Sequence, residues 1–561
     1  MAAIPDPEPG GRSLVARLRR RVPLIGWVAA SDRSTRRADA VAGLTVAAML
    51  VPQGMAYAAL AGMPPVTGLY ASTVPLVAYA LLGTSGQLAF GPVAIVSLLT
   101  ASTLAPIAGG DPGAYVALAG MLAVLVGVIQ LGLGLLRAGR LTALLSHPVI
   151  SGFTSAAAIV IATSQLDRLL GIDVGRPDSW LERIAALLGG LTSTHLPTLL
   201  IGLVAIVALV LGKRLGRRIP TPLLVVGLAT AAVPVLGLEA AGVAVLGDVP
   251  AGLPLPTLPM APLDAVLALL PGAAIIALLS YLEGISVARA IARRTHDRID
   301  PDQELLASGA ANLAAGVFQA FPVAGGFSRT AVNHTAGART PFASIVSAAG
   351  VLVALLLLAP LLSTLPQVVL AAVVLVAVAG LVDVREAVHA WRVERTDGIA
   401  LAITFLATLL LGVEVGIGVG IGASLLLSLW RVGVPRVRVD HEPDLTVVHV
   451  EGDLLPASSV RLVELVEDEL ARQVPPAPRV VLDLSGVPSA DLSGVHALAS
   501  LDGTCREAGV ELHLTGVRDG LREPLRRARL DERFAGRLHP ELPATPEATL
   551  QPADPVPAPS R

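Results

Sequence analysis

A single cysteine, Cys505, stands among 561 residues, so the chain can form no intrachain disulfide. Charged residues are scarce as well. They make up 15% of the chain, well under the quarter usual in soluble domains, which excludes an ordinary water-facing surface over most of its length. The formal net charge is −2, so overall charge is silent about partners and only its distribution carries information; no nucleic-acid partner is expected. Metal-ligand clusters, a nucleophile elbow and a phosphate-binding loop are all missing, so neither an enzyme nor a resident metal or cofactor is expected. The first 38 residues are rich in Arg and Pro and carry no A-x-A site behind a short apolar core, so the N-terminus is expected to stay in the cytoplasm.

Apolar length is what the chain has in abundance. Hydrophobic residues make up 53%, and the mean hydropathy is +0.71. Runs such as 116–136 and 345–362 approach the length that crosses a bilayer's hydrocarbon core. The pattern predicts a polytopic α-helical membrane protein with about fourteen segments. They fall near 39–60, 66–82, 91–106, 114–136, 147–166, 196–212, 221–237, 264–288, 304–320, 328–338, 342–360, 364–382, 396–411 and 413–431. Arginine gives the orientation. Eight arginines from Arg12 to Arg37, the run KRLGRR at 213–218 and RAIARRTHDR at 289–298 mark the cytoplasmic side, while 238–264 holds no Lys or Arg. Both termini are expected inside a multi-pass protein of the cytoplasmic membrane.

Past residue 432 the composition changes. Residues 433–540 alternate apolar and polar positions, as in LTVVHVEG and RVVLDLSG, with an amphipathic run at 458–473 between them, which predicts a cytoplasmic α/β domain. The last residues, 541–561, are rich in Pro and Ala and read as disordered. The expected division is therefore 1–37 as a cytoplasmic arm, 38–432 as the membrane domain, 433–540 as the soluble domain and 541–561 as a tail.

Two membrane segments are short and broken. The third opens on Gly91-Pro92 and the tenth on Gly325-Gly326, seven segments later. Irregular backbone at membrane depth survives only when buried in protein or lining a wet cavity. Corresponding breaks in two halves of a chain point to a site between half-helix N-termini, whose free N–H groups favour anions. In GGFSRT the glycines allow the turn, Ser328 is the expected N-cap with a helix from Arg329, and the guanidinium adds a forked oxyanion donor. In GPVAI, Pro92 suits the first helical position, and Val93, Ala94 and Ile95 would present free amides.

Further polar positions lie within apolar surroundings. Glu283, with Ser280 and Ser286 beside it at helical spacing, is expected to face the interior, either coupling transport to H+ or Na+ or pairing with Arg329 or Arg289. Gln53, next to Pro52, and Tyr57 share a face of the first segment; they suit an anion or coupling ion, or a buried kink. Asn333 and His334 sit deeper in the tenth segment. Glu414 is placed at the outer surface, at the start of a glycine run, 412–422, that suits close helix packing.

With these residues in view, the sequence resembles the sulfate permease (SulP) family of anion transporters. The resemblance is carried by DAVAGLTVAAMLVPQGMAYAALAGMPPVTGLYASTVP (39–75), GPVAIVSLL and GGFSRTAVNHTAGART, together with VVLDLSGVPSADLSGVHAL (480–498), which resembles the core of a STAS domain. It implies a seven-plus-seven inverted repeat in which a core domain moves against a gate domain, with a C-terminal α/β STAS domain and a homodimer. It also implies a small inorganic anion, sulfate first, held between the third and tenth half-helices. Carried over, the substrate contacts are Gln53, Tyr57, Val93, Ala94, Ser328, Arg329 and Thr330, with Glu283 as the coupling residue and Gly91, Pro92, Gly325 and Gly326 as the half-helix breaks. In the STAS motif Asp491 is followed by Leu492 where related domains carry a phosphorylatable Ser; Ser493 comes one later, so switching by that route is not expected. Bicarbonate, chloride or a dicarboxylate are the alternative substrates, and a nucleobase carrier or a STAS-based signalling protein the more distant readings.

Overall fold

The computed structural model describes residues 22–540, apart from 109–110, 140–146, 176, 178, 216–220, 248, 296, 434–435, 443–444 and 473–476. The arginines at 12–21 and the expected disordered tail at 541–561 lie outside the described residues. The chain divides into two compact units, Met1–Ser424 and Leu425–Arg561.

The first unit is helical. Its first seven apolar segments are α1 (Arg33–Leu60), α2 (Val66–Leu82), α3 (Ala94–Leu104), α4 (Pro112–Leu135), α5 (His147–Leu170), α6 (Leu196–Leu215) and α7 (Thr221–Leu236). The next seven are α8 (Leu263–Thr295), α9 (Pro301–Val317), α10 (Phe327–Thr335), α11 (Phe342–Leu362), α12 (Gln367–Val378), α13 (Arg395–Leu410) and α14 (Val413–Gly433), which begins in this unit and runs past its end at Ser424. Five of the described helices are long and apolar enough to cross a membrane by themselves, or six if Trp180–Ser193 and Leu196–Gly212, bent by 116°, count as one span. Among the others, α3 and α10, of 11 and 9 residues, are the half-helices that follow the two breaks.

Packing repeats between the halves. α1 lies against α10 and α11 as α8 lies against α3 and α4, and α5 packs on α13 as α12 packs on α6. In these pairs, exchanging each segment for the one seven later gives the matching contact, as an inverted repeat requires. It sorts α1–α4 with α8–α11 into a core group and α5–α7 with α12–α14 into a gate group. Close approach depends on missing side chains. A Cβ on Gly68 in α2 would lie 1.9 Å from the Gly54 carbonyl oxygen in α1, and the run at 412–422 backs Gly416 and Gly420 onto Thr408 and Thr404 of α13.

The second unit is a five-stranded mixed sheet of order β3-β4-β5-β6-β7, where β3 is Arg436–Glu442, β4 Leu445–Glu451, β5 Arg479–Gly486, β6 Glu511–Thr515 and β7 Leu538–His539. β3 runs antiparallel to β4, and the remaining neighbours are parallel. The parallel pairs are joined by helices, α15 (Pro456–Arg472) between β4 and β5 and α16 (Leu492–Glu507) between β5 and β6. Leu482, Leu484, Leu498, Leu512 and Phe534 fill its core. Asp491 caps α16, accepting from the Gly494 amide at 3.0 Å. Leu492 is 68% exposed, a greasy side chain in water.

Candidate functional site

The two breaks meet. Phe90–Gly91 (β1) and Ala324–Gly325 (β2) form a two-residue antiparallel ladder, with Phe90 opposite Gly325 and Gly91 opposite Ala324. Gly91 holds φ at +141°, a conformation that costs other residues dearly. A Cβ on Gly325 would sit 2.9 Å from Gly284 Cα, so α8 crosses directly behind the ladder. From it α3 and α10 depart, each leaving the free N–H groups of its first turn at the crossing.

The helix starts differ from the sequence expectation. α10 begins at Phe327, not Arg329, with Gly326 extended (φ −103°, ψ 131°) as the cap instead of Ser328. The Thr330 amide already bonds the Gly326 carbonyl at 3.1 Å, closing the first turn two residues early. Likewise Val93 caps α3, so Pro92 precedes the helix rather than opening it. Pro92 instead supplies a carbonyl that accepts from Arg329 Nη1.

Arg329 is 2% exposed, and its Nε and Nη2 have no hydrogen-bond partner. Nη2 lies 3.0 Å from where a Gly326 Cβ would be, so the guanidinium fills the space that glycine leaves at the crossing. A cavity of about 690 Å³ opens beside it, lined among others by Gln53, Tyr57, Val93, Ala94, Glu283, Ser286, Gly326, Phe327, Ser328 and Arg329. Gln53 Oε1 is buried there without a partner. No ion pair joins Glu283 to Arg329 or Arg289 among the described residues. Unused donors and acceptors are expensive in an apolar interior; here they converge on one space. The cavity runs toward Thr45, His147, Gly212, Thr221 and Leu381, so its mouth is at the end where α1, α5 and α7 begin.

One expected contact, Thr330, and Ser280, the neighbour expected beside Glu283, lie elsewhere. Thr330 is fully buried and does not line the cavity; its hydroxyl donates to the Gly326 carbonyl at 2.7 Å and accepts from the Ala89 amide at 3.0 Å, tying α10 to the segment that leads into β1. Ser280 turns away to Gln130 Nε2 at 2.8 Å, because six residues carry a helix through 600° and the strip drifts off the face that Glu283 and Ser286 share. His334 bonds Gln87 Oε1 at 3.0 Å, and Asn333 donates to the Gln87 carbonyl at 2.9 Å, both behind the site. Gly91, Pro92 and Gly325 shape the crossing rather than the cavity wall. In the other unit, Asp491 and Ser493 stand at the start of α16.

Sequence reasoning missed the supports. Glu304, 2% exposed, accepts from Tyr79 Oη at 2.7 Å, Thr84 N at 2.7 Å, Thr84 Oγ1 at 2.6 Å and Ser85 N at 3.2 Å, fixing the segment that leads into β1. Asn312 does the same for β2, accepting from Val323 N at 2.8 Å and donating to Val323 O at 3.2 Å. A polar residue within an apolar span is the one sequence signal either gives.

Among known proteins, residues 37–404 match the model of the sulfate permease family, and residues 437–540 match that of the Mlab-type STAS domain. Sulfate transporter 4.1, chloroplastic, of Arabidopsis thaliana is 37% identical over 409 residues, 72% of this chain; the match spans 59% of that relative's own length. A probable sulfate transporter of Mycobacterium tuberculosis is 35% identical over 521 residues, 89% of this chain and 92% of the relative. Among solved structures, the murine Solute Carrier 26 family member A9 anion transporter in the inward-facing state superposes with a TM-score of 0.86 at 24% identity, over 95% of each chain.

Proposed function

The chain belongs to the sulfate permease family, and from that premise we propose that it is a secondary transporter of small inorganic anions in the cell membrane, with sulfate as its first substrate. The observation that carries the reading is the convergence at the β1–β2 crossing: two half-helix N-termini, the unpartnered Nε and Nη2 of Arg329 and the unpartnered Gln53 Oε1, all beside one cavity. Amide donors and a forked cation suit an oxyanion. Ser328 is exposed at the cavity and adds a hydroxyl. Val93 and Ala94 offer backbone at the α3 start, and Tyr57 and Gln53 close the site from α1. Thr330 braces the site from behind.

Glu283 faces the same cavity, and its role is to balance Arg329 or to couple anion movement to H+ or Na+. The core group, α1–α4 with α8–α11, moves against the gate group to alternate access. The N-terminus and the STAS domain are cytoplasmic, and the chain works as a homodimer in which the STAS domain serves contact or support. Bicarbonate, chloride and dicarboxylates compete for the same kind of site, since helix N-termini favour anions generally.

Counterflow in proteoliposomes tests this: external sulfate should drive uptake of labelled sulfate, and the rival anions are ranked by how well each replaces it. Ser328→Trp and Arg329→Glu should each abolish uptake in protein that still elutes as a single folded species. Normal uptake by both would sink the site, and competition by uracil instead of sulfate would favour a nucleobase carrier.

A further inference from the structure

The cavity has a mouth at one end, and toward the other end polar contacts join the two helix groups. Glu414, in the first turn of α14, belongs to the gate group. Its Oε1 lies 2.5 Å from Thr103 Oγ1 and 3.3 Å from Ser102 Oγ, both in the last turn of α3 in the core group; the Leu99 carbonyl, 2.8 and 3.2 Å from the same hydroxyls, competes for their single protons, and the carboxylate is the stronger acceptor. Thr103 is seated against α8: a Cβ on Gly272 would lie 2.4 Å from its Cγ2, so its position is set by packing. On the other flank Arg168, near the end of α5 in the gate group, reaches the Ala59 carbonyl at the end of α1 in the core group at 3.4 Å. Gln165 Oε1 steadies the guanidinium at 3.5 Å. A carboxylate thus receives donors from one core half-helix, and a guanidinium caps the negative end of another core helix.

Resting on the reading of the chain as an alternating-access anion carrier, we propose that Glu414 with Ser102 and Thr103, supported by Arg168 on Ala59, is the latch that closes the site at the end opposite the mouth. The contacts join groups that must separate for that end to open. They touch neither the cavity nor the crossing, so they set the balance between the two access states rather than the binding of the anion. Glu414 is the positioning residue with the most to lose, since two hydroxyls lie within reach of its carboxylate and it stands where α14 begins.

The α3 face supplies a reporter. Ile95 lines the cavity, Ser102 sits at the latch, and Leu98, 8% exposed, lies between them at helical spacing. The experiment uses the full chain in intact cells with Cys505→Ala and Leu98→Cys, and measures the labelling rate by a membrane-impermeant methanethiosulfonate applied from outside. With the latch intact, labelling is slow. Glu414→Ala should raise the rate about tenfold, the shift expected from losing charge-assisted hydrogen bonds that favour one of two states. Glu414→Gln should fall between, because its amide oxygen still accepts, and Ser102→Ala with Thr103→Val should match Glu414→Ala without touching the carboxylate. Arg168→Ala should give a smaller rise. Sulfate binding by the solubilised Glu414→Ala protein should be retained. Unchanged labelling in both Glu414→Ala and the Ser102→Ala, Thr103→Val protein would overturn the latch. Labelling needs no substrate, so a chain that fails to transport sulfate would undo the carrier reading while the latch is still decided by these rates.

Discussion

Thr330 illustrates how a side chain can matter to a site that it never touches. It donates to Gly326 and accepts from Ala89, so both strands of the crossing hang on one hydroxyl. Thr330→Val leaves the buried Ala89 amide without a partner, a cost of about 1–3 kcal/mol. The expected result is a lower unfolding temperature together with reduced uptake, whereas Thr330→Ser should recover both; thermal unfolding and uptake on the same preparations check it. Asp502 in the STAS unit shows a charge effect. Its side chain has no solvent exposure and takes Arg506, Arg533 and Arg537 at 2.9, 2.8 and 2.6 Å. Burial pushes this carboxyl up, but the hydrogen bonds from Arg537 and Arg533 outweigh burial and hold it below the ordinary carboxylate value. Stability from such a lowered group is complete above its unfolded-state value, near about 4, and fades as pH falls through the folded one. Acidification should therefore loosen this unit, and Asp502→Asn should flatten that part of the pH profile while lowering stability at neutral pH, read by limited proteolysis of the full chain.

At the scale of elements, the sequence showed the two breaks and little of what braces them. Gly91-Pro92 and Gly325-Gly326 were legible because glycine and proline interrupt apolar runs at matching places in the two halves. The helix starts were not, since Ser328 is the stronger cap by residue type, yet the ladder already holds Gly326 extended and Phe327 can enter the helix. Glu304 was overlooked for a related reason. An acidic residue in the first turn of a helix reads as complementing the dipole, and nothing local reveals that its donors lie 220 residues away. Glu304→Ala orphans Thr84 N, Ser85 N and the Tyr79 hydroxyl together, so destabilisation of about 3 kcal/mol or more is expected; an unfolding temperature close to wild type would contradict this support. Gly68→Ala should be worse tolerated, because its Cβ would fall 1.9 Å from the Gly54 carbonyl oxygen and force α1 and α2 apart. Loss of monodisperse protein on gel filtration is the outcome to look for.

For the molecule as a whole, each unit has its own apolar core, one gathered around the helices of Met1–Ser424 and one around the sheet of Leu425–Arg561. The composition shift near residue 432 was visible because charge returns there and periodicity changes from helical to alternating. Removal of residues 435–561 should leave sulfate binding measurable in the remaining membrane domain; binding lost in a truncated protein that is still folded would instead tie the STAS domain to the site. The inverted repeat was legible only through its paired breaks. The mirrored packing of α1 on α11 and α8 on α4 depends on side chains whose spacing looks alike in every apolar helix.

The two-residue ladder at the crossing has a mechanical consequence. Phe90 opposite Gly325 and Gly91 opposite Ala324, with Thr330 bonded to Ala89 and Arg329 to Pro92, splice the two half-helices into a single stiff part. The separation between their amide ends is therefore a built dimension, like the jaw width of a fixed spanner; on the proposed reading it is set before any ion arrives. On that reading such a part would be carried and not squeezed, so selection by size would be made once, when the chain folds, with motion left to the seams around it.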